Sequence, residues 1–181
     1  RSGGGTCRAA DLRPVRKSML WTATRGTREV SEAVAKAGSL LERLTINPLN
    51  TMASLPKYLW VMRHEPDIWA ATRTLVFPKD YLILALTGTV QTDFSDASGS
   101  SVFDVRAAAW SNEIMDAFGI AKVKFPEIRQ GSDLAGPLTA EAAARFDLPG
   151  GLPGVTGGSD STLDSFSAVF SPGAVKLRPA P

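Results

Sequence analysis

The chain has 181 residues, of which 44% are hydrophobic and 21% charged, and its formal net charge is +2. This balance is typical of a soluble globular protein that buries a core. The basic residues are scattered beyond the first 30 positions, so the charge predicts no nucleic-acid partner. No apolar run approaches the roughly 18 residues of a membrane span, and the first residues show no apolar region followed by a small-residue cleavage site, so we expect a cytoplasmic protein without membrane contact.

Cysteine and histidine each occur once, as Cys7 and His64. A single cysteine cannot form an internal disulfide, and no multi-cysteine metal site is available. We therefore expect no metal ligands in this chain. His64 has no second histidine or cysteine nearby in sequence, which favours a surface or capping role over a ligand role.

The beginning of the chain divides into a loose leader and two predicted elements, a strand and a helix. Residues 1–18 contain three consecutive glycines and no periodic apolar pattern, which predicts a loose leader outside the fold. The short apolar run at residues 19–22 predicts a strand. Residues 28–44 carry apolar side chains at helical spacing, and the helix they predict is weakened by Gly38.

The next segment is amphipathic. Leu55, Tyr58, Leu59 and Met62 recur at spacings of three and four, which predicts a helix packed on a core, with Ser54 as its cap. Pro66 interrupts this pattern, and a second short helix is expected to begin there.

The middle of the chain alternates helical and extended patterns. Residues 74–86 predict an apolar entry, a turn and a short helix, and residues 88–105 predict a structured loop that ends in an extended piece. Residues 110–118 and 139–146 predict helices, and residues 127–137 predict a turn-rich segment with a short strand. The alternation of helices with short strands predicts an α/β or mixed α+β fold.

Residues 52–64, which read MASLPKYLWVMRH, fit end to end the signature of the FGGY carbohydrate kinases. FPKDYL at 77–82, TDFSDASGS at 92–100 and FDV at 103–105 extend the resemblance. Within that family the pattern is most similar to pentulose kinases that act on D-xylulose. We expect Lys57 and Trp60 of the signature to serve packing and surface roles.

The resemblance implies a partial actin-like, ribonuclease H-like ATPase domain. Residues 19–177 would form the later part of the N-terminal sugar-binding domain, and residues 178–181 would be a divergent tail. The C-terminal ATP-binding domain would lie outside this chain. Near the start, Ala23 stands where the family commonly has an aspartate that helps to organise the sugar site, and the loss of this carboxylate would weaken substrate positioning.

The segment Gly157-Gly158-Ser159-Asp160-Ser161 lies between a predicted strand at 154–156 and a predicted helix at 162–170. Phosphoryl transfer to a sugar needs a carboxylate that accepts the proton of the attacking hydroxyl. Taken alone, the motif favours Asp160 as a helix cap. The resemblance implies instead that Asp160 is the general base on the ketose hydroxyl and contacts the substrate.

Ser161 is a candidate substrate-binding residue, and a hydroxyl that bonds backbone amides at the helix start is the alternative. Asp164 would share a helix face with Asp160, either as a solvated carboxylate or as its partner. Asp93, Asp96 and Asp104 lie in a polar segment that lacks the pattern of a calcium loop. We expect them to cap turns and to shape the surface of the substrate domain.

Two functions follow, and they differ in class. The first is ATP-dependent phosphorylation of a pentulose, most simply of D-xylulose to D-xylulose 5-phosphate, with Asp160 as base. ATP and Mg²⁺ would be bound mainly by segments outside this chain, and the full-length enzyme is compatible with a homodimer. The second is a truncated, non-catalytic remnant that at most binds sugar or a kinase partner. Phosphoryl transfer depends on positioning and charge neutralisation, so the second function is favoured for the chain alone.

Overall fold

The computed structural model describes residues 6–8 and 13–163 of the chain. Within these residues the helices are α1 (Thr27–Thr45), α2 (Ser54–His64), α3 (Pro66–Ala71), α4 (Pro78–Thr87), α5 (Phe94–Ser98), α6 (Asn112–Phe118) and α7 (Ala140–Phe146). The strands are β1 (Thr6–Arg8), β2 (Thr74–Val76), β3 (Gln91–Asp93), β4 (Phe103–Asp104), β5 (Ala109–Trp110), β6 (Glu127–Arg129), β7 (Leu134–Pro137) and β8 (Pro153–Val155). The predicted mixed α/β class is confirmed.

The strands of the described residues pair as four two-stranded sheets. β1 with β2, β4 with β5 and β7 with β8 are antiparallel, whereas β3 and β6 run parallel. The parallel pair joins strands more than thirty positions apart, with Thr92 opposite Ile128. The sheets are too small to form a core by themselves, so the helices supply most of the buried apolar surface.

The hydrophobic core lies between α1, α2 and α6. Leu41, Leu55, Tyr58, Ile114 and Met115 are all buried in it. The apolar face predicted for the signature helix, now α2, therefore packs on this core. Burial of each large apolar side chain contributes about 1.5–3 kcal/mol to stability. Helix α1 is irregular at Ala37, whose φ of −148° is not helical, next to the glycine expected to weaken it.

Three local predictions at the beginning of the fold are wrong. Residues 19–22 form no strand: the carbonyl of Leu20 accepts a turn hydrogen bond from the amide of Ala23, and Leu20 is 67% exposed although Met19 is buried. Thr6–Arg8 pairs with β2, although it lies in the segment predicted to be a loose leader. Ser54 is the first residue of α2 and does not cap it, because Ala53 occupies the cap position.

Residues 88–105 differ from the predicted loop because they contain β3 and α5, whereas β4 is the extended piece predicted at the end of this segment. Gln91, Thr92 and Asp93 are all buried although none is apolar, so β3 lacks the apolar alternation by which a strand is recognised. The predicted helix start at Pro66 is confirmed by α3, and Thr139 caps α7 by accepting a bond from the amide of Ala142. Among the helices that the structure describes, none is long and apolar enough to span a bilayer.

Candidate functional site

A polar pocket of about 470 Å³ opens where four distant segments meet. Trp21, the turn at residues 47–53, helix α5 and residues 159–162 form its walls. The volume lies in the range of pockets for small ligands. Hydroxyl and amide groups dominate the lining, which suits a ligand rich in hydroxyl groups.

Asp160 lies on the wall of this pocket, at the junction of a strand and a helix. Strand β8 ends at Val155, residues 156–159 form the connection, and residues 160–163 are helical. The carboxylate is exposed, and its Oδ1 accepts a hydrogen bond of 2.8 Å from the amide of Ser161. The ends of strands are where α/β folds place ligands, so the position suits a residue that reacts with a bound substrate.

Ser161 also lines the pocket, next to Asp160. The structure therefore brings together the two residues that the sequence singles out as substrate contacts. The helical conformation at residues 160–163 agrees with a helix start at this point. Asp164, the possible carboxylate partner of Asp160, lies outside the described residues.

Glycines determine the path of the connection before Asp160. Gly157 has a φ of +72°, a conformation that costs other residues about 1–2 kcal/mol. Its amide donates to the carbonyl of Gly131 at 2.9 Å. A Cβ atom at Gly131 would lie 2.7 Å from the carbonyl oxygen of Gly157, which is closer than real Cβ atoms approach. The two segments can pass this closely only because Gly131 has no side chain.

Helix α5 contacts the same connection through its first turn. Asp93 caps α5, and its Oδ2 accepts from the amide of Ser95 at 2.7 Å and also from the Ser95 hydroxyl. The Ser95 Oγ in turn accepts a bond of 2.8 Å from the amide of Ser159. The cap of α5 is thereby linked to the residue directly before Asp160.

Behind the pocket, the ammonium group of Lys79 lies among three aspartates. Its Nζ is 2.9 Å from Asp80 Oδ1, 3.1 Å from Asp93 Oδ1 and 3.8 Å from Asp96 Oδ2. Nζ also donates to the carbonyl of Thr156 at 3.1 Å. The side chain of Lys79 is 16% exposed and those of the aspartates are nearly fully buried. We call these four side chains the Lys79 cluster.

Burial alone would lower the pKa of Lys79, but the carboxylates of Asp80, Asp93 and Asp96 together raise it above its ordinary value. Lys79 is therefore charged at neutral pH. Burial raises the pKa of Asp80, against the lowering effect of the Lys79 ammonium and of the Phe77 amide. Both directions follow from a cluster that buries three carboxylates against one ammonium.

Lys57 of the signature is a buried structural residue, so of the expected packing and surface roles it has the packing one. The residue is 2% exposed. Its Nζ donates to the carbonyls of Thr51, Met52 and Ala53 at 2.7, 2.9 and 2.8 Å. Burial lowers its pKa to about 8. Lys57 thereby fixes the turn that forms one wall of the pocket.

The remaining acidic residues of the polar segment have structural contacts. Asp104 Oδ1 accepts from the amides of Arg106 and Ala107, which is the predicted turn capping. Asp96 is buried and belongs both to the Lys79 cluster and to the pocket wall.

His64 stacks on Trp60 with ring centroids 4.8 Å apart and lies 3.7 Å from Glu29.

No group of three or more histidine, cysteine, aspartate or glutamate side chains in the described part of the chain is arranged to hold a metal ion. In the Lys79 cluster an ammonium group occupies the centre where a cation would sit. The described residues therefore do not fit a Mg²⁺ site. What they form is a polar pocket with a carboxylate on its wall.

Residues 4–167 match the profile of the N-terminal domain of the FGGY family of carbohydrate kinases. The match covers most of the chain, and the protein belongs to this family. Its mixed helix and strand fold is that of the sugar kinases in the actin-like class, as the sequence predicts.

Individual relatives point to one group within the family. The chain is 36% identical to the xylulose kinase of Lactococcus lactis over 149 residues, which are 82% of this chain and 30% of that protein. It is 32% identical to the xylulose kinase of Bacillus subtilis over 158 residues, 87% of this chain and 32% of the relative. The crystal structure of xylulose kinase from Rhodospirillum rubrum is similar with a TM-score of 0.87 and 25% identity, covering 93% of this chain and 35% of that one. The chain thus spans about a third of the length of these relatives.

Proposed function

We propose that the chain supplies the sugar pocket and the catalytic base of an ATP-dependent carbohydrate kinase that phosphorylates a pentulose. One observation carries this proposal: Asp160 lies at a strand-to-helix junction on the wall of a polar pocket of about 470 Å³. Family membership supplies the reaction class. The pocket alone would not indicate the reaction, and family membership alone would not indicate which residue acts as the base.

The chemistry expected of Asp160 is proton acceptance. A sugar hydroxyl is a weak nucleophile, and a carboxylate within hydrogen-bond reach takes its proton as the new bond to phosphorus forms. Asp160 is exposed and lines the pocket, so its carboxylate is accessible to a bound sugar. ATP would supply the phosphoryl group, bound with Mg²⁺ by residues outside those described.

The pocket walls are suited to orient a sugar. Asn47, Asn50 and Ser161 present amide and hydroxyl groups that can donate to and accept from sugar hydroxyls. Trp21 supplies an apolar surface for the carbon face of the sugar. Holding the hydroxyl in line with its target contributes more to phosphoryl transfer than any covalent step of the protein.

D-xylulose is the proposed substrate because the similar proteins named above are xylulose kinases. The test is a coupled assay of ADP release by the full-length protein with ATP and D-xylulose, L-xylulose or L-ribulose in turn. We expect kcat/KM to be highest for D-xylulose. Turnover of another ketose at least tenfold better would overturn the substrate, and the absence of turnover with any sugar would overturn the reaction class.

Sugar binding without phosphoryl transfer is the second candidate function, for the 181-residue chain by itself. The observation that favours it is that the polar pocket lies within the described residues, whereas no metal-ligand group does. Calorimetry of the isolated chain with D-xylulose, together with the ADP assay, tests it. Binding without turnover supports this function, and turnover by the isolated chain contradicts it.

A further inference from the structure

The connection that carries Asp160 is held at both of its ends by side chains from distant parts of the sequence. At the first end, Lys79 Nζ donates to the carbonyl of Thr156 at 3.1 Å. At the second end, the amide of Ser159 donates to Ser95 Oγ at 2.8 Å. Gly157 and Gly158 lie between these contacts and have the backbone freedom that such contacts would have to restrict.

The two contacts share one anchor. Asp93 accepts from the amide and the hydroxyl of Ser95 through its Oδ2, and its Oδ1 lies 3.1 Å from Lys79 Nζ. The Ser95 hydroxyl therefore gives its proton to Asp93 and leaves a lone pair for the Ser159 amide. This fixed polarity makes Ser95 Oγ an obligatory acceptor at the position before Asp160.

Burial makes the anchor rigid. Asp93 is 3% exposed, and Lys79 is the charge that compensates it and its neighbours Asp80 and Asp96. Hydrogen bonds with a charged partner in such surroundings are shorter and stronger than neutral ones. Thr156 is also held from the other side, since Gln91 Nε2 donates to its Oγ1 at 2.6 Å.

We propose that Lys79 and Ser95 are positioning residues for the Asp160 carboxylate, acting through Thr156 and Ser159 to hold the connection in the conformation that turnover needs. This role rests on the proposed function, because the reaction that it serves is the one proposed for Asp160. The prediction concerns kcat, since a base that is displaced by about 1 Å can cost as much as 100-fold in rate.

Ser95→Ala tests the proposal with the smallest change. It removes the acceptor of the Ser159 amide and leaves Asp93 to cap α5 through the backbone amide. We expect kcat for D-xylulose to fall by about 10- to 100-fold while KM changes by less than about threefold. Amide hydrogen exchange in residues 156–160 should become faster.

Ser111→Ala is the matched control. Ser111 is buried, caps α6 through a bond from the amide of Ile114 at 3.2 Å and lies outside the pocket wall. The Ser111→Ala variant therefore also loses a bond from a backbone amide to a serine hydroxyl, at a comparable cost in stability. We expect the kcat of this variant to stay within about twofold of wild type. Lys79→Met, compared with Lys124→Met, repeats the test at the first contact, because Lys124 bonds the carbonyls of Trp69 and Thr72 instead.

Equal losses of kcat in Ser95→Ala and Ser111→Ala would overturn the positioning role, as would unchanged exchange at residues 156–160. The proposed function fails in a different way, through absence of turnover in the wild-type protein. Hydrogen exchange would still report on the contact in that case, so the two failures are distinguishable.

Discussion

At the scale of single residues, Gly131 leaves the space through which the Asp160 connection passes. A Cβ atom added at Gly131 would lie 2.7 Å from the carbonyl oxygen of Gly157. A backbone atom cannot move aside as a flexible side chain does, so the connection itself would shift.

Gly131→Ala is therefore expected to lower both stability and turnover. We expect the free energy of unfolding to fall by about 1–3 kcal/mol and kcat to fall by about tenfold or more, because Asp160 moves with the connection. Gly150→Ala is the control, since nothing lies within 4 Å of the Cβ atom that it adds. Steady-state kinetics and urea titration of both variants measure the difference, and similar behaviour of the two would show that the close approach is unimportant.

Lys57 of the family signature holds the turn at residues 51–53 by hydrogen bonds. Three converging carbonyls from residues 51–53 occupy its three donors. Its value to the fold is the shape of the pocket wall, because Met52 and Ala53 both line the pocket.

Lys57→Met should destabilise the protein by about 1–3 kcal/mol, because three carbonyls lose a charged donor while the cost of burying the ammonium is relieved. The affinity for sugar should fall as well, since the wall at residues 51–53 is released. Lys122→Met, at an exposed lysine, should leave both quantities unchanged. Thermal unfolding and calorimetry of the two variants are the measurements. An unchanged affinity for sugar in Lys57→Met would show that Lys57 does not shape the pocket wall.

The sequence predicts Asp160 and Ser161 as site residues, and the structure places both on one pocket. Lys79 and Ser95 are missed because their partners lie 77 and 64 positions away. Contacts of that separation leave no periodic pattern in a single sequence. The available signal is local: Asp93 followed by Ser95 is a helix-cap pattern, and it suggests a short helix at this point.

At the scale of elements, the signature helix α2 is joined to α1 by charge as well as by apolar packing. Arg63 donates to Glu29 at 2.8 Å and also pairs with Glu32. The hydrogen bonds from Arg63 and then Arg28 lower the pKa of Glu32 below its ordinary value. Glu29 is 1% exposed, so its carboxylate depends on Arg63 for compensation.

Arg63→Ala should lower the melting temperature at neutral pH, because the buried Glu29 carboxylate loses its charged partner. A group whose pKa is lowered on folding adds stability above its ordinary pKa and loses it as the pH falls through the folded value. For Glu32 the loss therefore begins near the ordinary value of 4.5 and continues below it. We expect the difference in melting temperature between wild type and Arg63→Ala to shrink as the pH falls from about 5 to 3. Calorimetric scans across this range measure it, and a difference that widens at low pH would contradict the account.

Elements with strong apolar periodicity are predicted well, and polar elements are not. Helix α1 extends over the residues that its apolar spacing indicates, and α7 begins after Thr139. Strand β3 and helix α5 are missed, since Gln91, Thr92 and Asp93 are polar and are buried with hydrogen bonds and ion pairs instead of apolar contacts. Residues 19–22 are apolar but form no strand, because the chain turns at Leu20, Met19 alone of them is buried and Trp21 lines the pocket.

At the scale of the whole molecule, the fold brings residues from four distant segments around one pocket. Trp21, Asn50, Asp96 and Asp160 are separated by up to about 140 positions and line the same space. The relatives named above are about three times as long as the chain, so we propose that the residues described here supply the sugar side of the reaction, with Asp160 as the base.

The most direct measurement is kcat of Asp160→Asn in the full-length protein, together with its dissociation constant for D-xylulose. Asparagine keeps the size of the side chain and cannot accept the hydroxyl proton. We predict that kcat falls by about 10²- to 10⁴-fold, while the dissociation constant changes by no more than a few fold. A variant that keeps wild-type turnover would contradict the claim that Asp160 is the base.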